Sequence, residues 1–140
     1  MKIAIINGPN LNLLGKREPG VYGNTSFEAY LALLKPAFPS IEFFYFQSNI
    51  EGELVNAIQD FGFSCDGIII NPAAYTHTSV AIGDAIAAIS GPVIEVHISN
   101  VHSREEFRKI NYVSAKASGT ISGLGLKGYE LAVQYLMDKK

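Results

Sequence analysis

The chain has 140 residues, of which 48% are hydrophobic and 17% charged, which excludes a disordered chain and suits one folded domain. Eleven Lys and Arg against 13 Asp and Glu leave a net charge of -2 with no basic block, so nothing indicates a nucleic-acid partner. No apolar run is long enough to span a bilayer, and Cys65 is the only cysteine, which excludes an internal disulfide and a cysteine-based zinc site. The first apolar segment breaks at Asn7 before a signal-peptide core forms, so we expect a cytoplasmic protein without a membrane partner.

Short apolar runs alternate with segments of helical periodicity along the chain. In chain order, we predict a strand at 2–7, a helix at 26–35 that stops before Pro36, a strand at 41–46, a helix at 50–61, a strand at 66–71, a helix at 78–89 capped by Thr76 or Thr78, a strand at 93–97, a short helix at 103–109, a strand at 119–122 and a helix at 129–137.

Continuously apolar strands that alternate with helices are typical of a parallel sheet covered on both faces. We therefore expect a flavodoxin-like three-layer α/β fold, with a five-stranded parallel sheet in the order 2-1-3-4-5 and a single catalytic domain over 1–140. In such a sheet the ligand site lies beyond the carboxyl ends of the strands, where the order reverses between strands 1 and 3. This rule points to the loops at 8–24, 71–79 and 97–108.

The first of these loops is long for a connection between a strand and a helix, and long loops in compact domains are often lids. Glycines at positions 15, 20 and 23 would serve as hinges of a lid at about 12–24, which carries Arg17 and Tyr22. The alternative is an ordinary surface loop. It is not a phosphate-binding P-loop, because Arg17 follows Lys16 where Ser or Thr is needed. The GxGxxG at 123–128 has too few residues after it for a dinucleotide site and predicts a tight turn.

The second loop places Asn71 at a strand end and His77 near a helix N-terminus, where backbone N–H groups favour an anionic ligand. A capped turn with a solvated His is the alternative. Asp84, on the following helix, has the pattern of a solvated face.

The third loop follows a strand in which Glu95 and His97 lie on the same side. A carboxylate beside an imidazole fixes its tautomer and favours the protonated form, although a purely structural His is an equal alternative. Arg104 and Arg108, four residues apart, would share one helix face and clamp a carboxylate, or else form a solvated pair.

Several chemistries lack their signatures in this sequence: there is no GxSxG elbow, no zinc spacing among the three His, no acidic cluster for magnesium and no Lys in an apolar strand. The remaining Tyr, Arg, His, Glu and Asn suit proton transfer and elimination on a small polar anion without a cofactor. A non-catalytic module that holds a small carboxylate is the rival, and a phosphate-handling hydrolase is disfavoured.

Three long motifs resemble those of the type II 3-dehydroquinate dehydratases, and the resemblance spans nearly the whole chain. They are GPNLNLLG at 8–15, NPAAYTHTS at 71–79 and EVHISN at 95–100, extended by Arg17, Tyr22, Arg104 and Arg108. Residues 110–118 are the weakest part of the resemblance. They lie outside the three motifs, so we expect them to bear on subunit packing more than on chemistry.

The resemblance implies a cofactor-free lyase of the shikimate pathway, which converts 3-dehydroquinate to 3-dehydroshikimate and water by anti elimination through an enolate. It implies that Tyr22 is the general base, that Arg17 supports its anionic form and that His97 is the general acid. Asn10 and Glu95 complete the implied catalytic set. The implied substrate-binding residues are Asn71, His77, Ile98, Ser99, Arg108 and, from a neighbouring subunit, Asp84. Members of the family assemble as homododecamers built from trimers.

A tyrosine base needs positive charge beside it, because its ordinary pKa is about 10 and ionising it at neutral pH costs about 4 kcal/mol. One guanidinium about 5 Å away supplies roughly 3 kcal/mol at an effective dielectric near 20, and far less in open water. We therefore expect the lid to close over Arg17 and Tyr22, and Arg104 or Arg108 to add a second positive charge.

Overall fold

The computed structural model describes residues 1–17, 20 and 23–139. Within them, five parallel strands form one sheet: β1 Lys2–Asn7, β2 Glu42–Gln47, β3 Gly67–Asn71, β4 Val93–His97 and β5 Gly119–Ser122. The α-helices of this part of the chain are α1 Phe27–Ala37, α2 Glu51–Gly62, α3 Val80–Ala87 and α4 Lys127–Asp138. The order of the strands is β2-β1-β3-β4-β5, which confirms the predicted flavodoxin-like α/β architecture.

The sheet is buried on both faces because its central strands carry apolar side chains at consecutive positions. Ile3 and Ile5 of β1 pack with α1 and α4 on one face, and Ala4 and Ile6 pack with α2 and α3 on the other. This alternation follows from the two-residue period of a strand, which sends successive side chains to opposite faces.

Three local predictions are wrong, and the remaining predicted element boundaries agree with the structure to within two residues. Helix α1 does not stop before Pro36 but continues to Ala37, because a proline at an exposed helix end already has a helical φ and forfeits a single backbone hydrogen bond. Helix α3 is capped by Ser79, whose side chain accepts from the Ile82 N–H, rather than by Thr76 or Thr78. The predicted helix at 103–109 is replaced by two 3₁₀ turns, Val101–Ser103 and Glu106–Lys109.

The point where the strand order reverses lies between β1 and β3, which pair in parallel so that Asn7 lies opposite Asn71. Just beyond this pair, the Gly8 N–H donates to the Asn71 carbonyl at 2.8 Å. A Cβ on Gly8 would lie 2.5 Å from the Pro72 carbonyl oxygen, so only glycine lets the two loops approach this closely. The loops after β1 and β3 are thereby fixed side by side at the carboxyl edge of the sheet.

No helix among the described residues combines the length and the apolar character needed to cross a membrane.

Candidate active site

A cleft opens at the carboxyl ends of β1, β3 and β4, at the edge of the sheet that the strand order predicts. It holds about 670 Å³ of empty space, its open mouth included, which suits a small molecule. The predicted site residues that line it are Asn10, Arg17, Asn71, His77, His97, Ile98, Ser99 and Arg108, joined by Arg104. The three loops singled out from the sequence therefore converge on one space.

The loop after β1 forms one wall of the cleft. Asn10 has a left-handed φ of 68° and its N–H donates to Asn49 Oδ1 at 3.0 Å, which ties the loop to the segment after β2. Leu11 and Leu14 are buried in the core, while Arg17 is exposed at the lip of the cleft. Tyr22, the residue predicted as the general base, lies outside the described residues.

Glu95 and His97 form a buried pair at the end of β4. His97 Nε2 donates to Glu95 Oε1 at 2.7 Å, and the exposed fractions of His97 and Glu95 are 5% and 0%. His97 lines the cleft, whereas Glu95 lies behind it. The predicted juxtaposition on one side of the strand is confirmed, and the carboxylate fixes the tautomer of the imidazole by holding a proton on Nε2.

Four side chains of the described residues donate to the Glu95 carboxylate. Besides His97, these are Thr76 Oγ1 at 2.6 Å, Asn111 Nδ2 at 3.1 Å and Thr120 Oγ1 at 3.2 Å. Burial acts to raise the pKa of Glu95, but the hydrogen bonds from His97, Thr76 and Asn111 outweigh it, so its pKa lies below the usual range. The end of β4 therefore carries an ionised carboxylate inside the core. Thr76 donates a hydrogen bond to this carboxylate and does not cap α3.

His77 is held by the backbone of a segment that the sequence motifs do not include. Its Nδ1 donates to the Ile110 carbonyl at 2.7 Å, which leaves Nε2 as the ring nitrogen available to a ligand. Burial lowers the pKa of His77, and the positive charge of Arg108 adds to this effect. The His77 and His97 rings are stacked with centroids 6.5 Å apart, so the cleft presents two imidazoles side by side.

Arg104 and Arg108 line the same cleft although the predicted shared helix face is absent. Arg108 Nε hydrogen-bonds Glu105 Oε2, and Arg104 Nε lies 3.9 Å from the same oxygen. Arg104 Nη1 also donates to Ser99 Oγ at 3.4 Å. With Arg17, these side chains place three guanidinium groups around the cleft, which favours an anionic ligand.

Asn71 is held in place by Tyr129, which was predicted from the sequence only as part of a helix. Asn71 Nδ2 donates to the Tyr129 hydroxyl at 3.1 Å, and that hydroxyl donates to Asn7 Oδ1 at 2.8 Å. Asn71 Oδ1 accepts from the Ala73 N–H at 3.1 Å. One N–H of the Asn71 amide is thus engaged below the cleft, and the other remains for a ligand.

Asp84 is the predicted binding residue that the fold does not bring to this cleft. It lies exposed on α3 and is not among the described residues that line the cleft of its own chain. Conversely, sequence reasoning missed Asn111 and the Ile110 carbonyl as parts of the site, because a single Asn and a backbone oxygen have no sequence signature. No group of three or more His, Cys, Asp or Glu among the described residues is placed to hold a metal ion.

Comparison with known proteins gives one family. The model of a family described as Dehydroquinase class II matches residues 1–137. A 3-dehydroquinate dehydratase of Fusobacterium nucleatum is 53% identical over 143 residues, which cover 99% of this chain and 97% of that protein. A 3-dehydroquinate dehydratase of Campylobacter jejuni subsp. doylei is 56% identical over 135 residues, which cover 95% of this chain and 85% of that protein.

A solved structure supports the same assignment. The crystal structure of a type II dehydroquinase from Butyrivibrio crossotus superposes with a TM-score of 0.94 at 50% identity, covering 98% of this chain and 97% of that one. A shared fold alone would leave the family open, but here sequence and structure agree over nearly the full chain. The chain belongs to the class II dehydroquinase family.

Proposed function

We propose that this chain is a lyase that dehydrates 3-dehydroquinate to 3-dehydroshikimate in the shikimate pathway, which leads to chorismate and the aromatic amino acids. The observation that carries the proposal is the Glu95–His97 pair beside a cleft lined by arginines, in a chain whose relatives are named for this reaction. The pair offers a proton source, and the arginines suit the carboxylate of the substrate.

His97 is the proposed general acid for the departing hydroxyl group. Glu95 occupies Nε2, so Nδ1 is the nitrogen that is left to serve the substrate. The buried carboxylate stabilises the imidazolium from which the proton leaves. General acid catalysis by such a group contributes about 10²–10⁴-fold to the rate.

Tyr22 is the proposed general base, on a loop that we propose to be a lid at about 12–24. Arg17, on the described part of that loop, would stabilise the phenolate and the developing negative charge. Arg104 or Arg108, both of which line the same cleft, would supply the second positive charge that the electrostatic argument requires. Base and acid act on opposite sides of the substrate, as an anti elimination demands.

The intermediate is an enolate, so hydrogen-bond donors must face the developing oxyanion. Asn10 and Asn71 are neutral donors at the cleft, and we propose Asn10 as the catalytic one and Asn71 as a binding one. His77 and Arg108 bind further polar groups, and the backbone of Ile98 and Ser99 binds the carboxylate. In this scheme the reaction needs no cofactor, because the proton acceptor and the proton donor are both side chains.

We propose that the active form is a homododecamer built from trimers and that Asp84 completes the site of a neighbouring subunit. Asp84 is exposed and away from the cleft of its own chain. The same region exposes large apolar side chains, with Val80 56%, Ile110 52% and Tyr112 44% exposed. Apolar patches of this kind mark surfaces that another protein covers. We also propose a cytoplasmic location, where a biosynthetic enzyme meets its substrate.

The reaction is tested by adding 3-dehydroquinate and following the ultraviolet absorbance of the conjugated enone product. We expect absorbance to rise with the wild-type chain, to stay flat with Tyr22→Phe and to rise normally with Tyr135→Phe, which removes an exposed hydroxyl on α4. An inactive wild-type chain would refute the proposed reaction, and a fully active Tyr22→Phe variant would remove Tyr22 as the base.

Sharing of the site between subunits is tested by mixing two variants, Asp84→Ala and His97→Ala. If Asp84 acts across the interface, mixed oligomers contain sites with both residues intact, and activity returns on mixing. Sedimentation of the active species gives its size. Failure to recover activity in mixed oligomers of the expected size would show that Asp84 does not act in a neighbouring site.

A further inference from the structure

Asn111 lies in the segment 110–118, outside the three sequence motifs, yet it contacts the centre of the site. Its Nδ2 donates to both oxygens of Glu95, at 3.1 Å and 3.2 Å. Its Oδ1 accepts from the N–H groups of Val113 and Ser114 at 2.7 Å and 2.8 Å. Because the oxygen is committed to two backbone donors, the amide has one orientation, with its NH₂ group against Glu95.

The surroundings of Glu95 show what this contact does. The carboxylate is fully buried, and its other partners are Thr76, Thr120 and His97. Among the described residues, His77, on the turn after β3, interacts electrostatically with both Glu95 and His97, and Arg108 in turn acts on His77. A buried carboxylate that lost donors would favour its neutral form, and a neutral acid holds an imidazolium more weakly.

We propose that Asn111 is a positioning residue for the dehydration: its amide holds Glu95 as a carboxylate and fixes the oxygen that accepts from His97. This inference rests on the proposed function, in which His97 is the general acid. A residue that only capped the loop would need its side-chain oxygen alone. The proposed positioning role therefore belongs to the side-chain NH₂ group, which faces Glu95.

The substitution Asn111→Asp separates the two roles. Aspartate keeps an oxygen acceptor for both N–H groups and is as good a cap as asparagine. It places a second carboxylate against Glu95, and a like charge at this distance raises the pKa of one member of the pair by about one unit or more. We expect kcat at neutral pH to fall at least about 10-fold, with a smaller change in KM.

Asn100→Asp is the matched control. Asn100 also caps a turn with its Oδ1, which accepts from the His102 N–H at 3.1 Å, and it is exposed on the loop after β4. The control therefore adds the same charge at the same kind of cap, without facing Glu95. We expect its kcat at neutral pH to match that of the wild type. If Asn111→Asp leaves kcat unchanged as well, Asn111 is a loop cap and the inference is overturned.

A second measurement does not depend on activity. The free energy of unfolding is compared for the wild type, Asn111→Asp, Glu95→Gln and the double variant. In the wild-type background, Asn111→Asp should lower stability. In the Glu95→Gln background the loss should largely disappear, because a glutamine amide can donate to the new carboxylate. Equal effects in the two backgrounds would show that residue 111 does not act on residue 95.

The two failures are distinguishable. An inactive wild-type chain refutes the proposed reaction, while the unfolding cycle still decides whether Asn111 holds Glu95. An active wild type whose kcat is unchanged by Asn111→Asp overturns the inference and leaves the proposed reaction standing.

Discussion

The hydroxyl of Tyr129 hydrogen-bonds two buried asparagines beside the cleft, and removing it tests how much these bonds stabilise the protein. Replacing Tyr129 by Phe keeps the ring in its aromatic cluster, where it lies 4.9 Å from the Phe27 ring between centroids. The only loss is the hydroxyl, which accepts from Asn71 Nδ2 and donates to Asn7 Oδ1. Asn7, Asn71 and Tyr129 have exposed fractions of 0%, 3% and 0%, so water does not replace the lost partner freely.

The magnitude follows from the two polar atoms that lose their partner. A buried donor or acceptor left without a hydrogen bond costs about 1–3 kcal/mol. With two such atoms, and some relief from rearrangement, we expect Tyr129→Phe to lower the free energy of unfolding by about 2–4 kcal/mol. For a chain of this size that corresponds to a fall in Tm of roughly 8–15 °C. The released Asn71 amide should also raise the KM for substrate.

Urea unfolding at neutral pH measures the effect, with equal m-values as the condition for comparing midpoints. Tyr30→Phe is the matched control. Its ring packs 6.1 Å from the Tyr129 ring between centroids, and among the described residues its hydroxyl bonds neither Asn7 nor Asn71. A loss below about 0.5 kcal/mol for Tyr129→Phe, or an equal loss in both variants, would refute the assignment of stability to this hydrogen-bonded chain.

Three further predictions concern other parts of the molecule. His97→Ala should lower kcat by about 10²–10⁴-fold with a modest change in KM, whereas equal changes in the two constants would indicate a binding role. Stability should fall in two stages on acidification. Burial lowers the pKa of His77, so below pH 6.5 the unfolded chain binds protons better than the folded chain and stability falls. The lowered pKa of Glu95 adds a second decline below pH 4.5, and a Glu95→Gln variant in which this decline is as steep as in the wild type would contradict this account. Gly83→Ala should lower the free energy of unfolding by about 1–3 kcal/mol despite the better helix propensity of alanine, because its Cβ would lie 2.5 Å from the Tyr112 carbonyl oxygen; an unchanged urea midpoint would mean that the two segments separate easily.

The sheet could be predicted because its strands are short, apolar and separated by helical segments. Strand β1 and strand β5 have the predicted bounds, and the order of the strands follows from general rules for parallel sheets. The ends of the helices were harder to predict, because the residue that caps a helix depends on which other groups its side chain meets in the folded protein. Ser79 caps α3 while the hydroxyl of Thr76 donates to Glu95, and no local pattern distinguishes the two.

The polar cluster at the cleft could be predicted where residues of one strand or loop act together, as Glu95 and His97 do. Contacts between distant segments could not. Residues 110–118 were expected to matter for packing, but the Ile110 carbonyl accepts from His77 and the Asn111 amide donates to Glu95. A backbone oxygen can accept whatever side chain it carries, so such a contact leaves no trace in the sequence.

The two halves of the proposed chemistry differ in how they are supported. Glu95 and His97 belong to a buried strand, and four side chains of the part of the chain that the structure describes donate to the carboxylate, so the acid half is held in place by the folded sheet. Arg17 lies exposed on a loop, so water weakens the effect of its charge, and the proposed closure of the lid would strengthen that effect. A preorganised acid and a base carried on the proposed lid would make closure of the loop, rather than the position of His97, the step that sets the geometry for elimination. Substitution of the exposed Arg17 should then lower kcat with little change in the unfolding free energy, and changes around Glu95 should lower both.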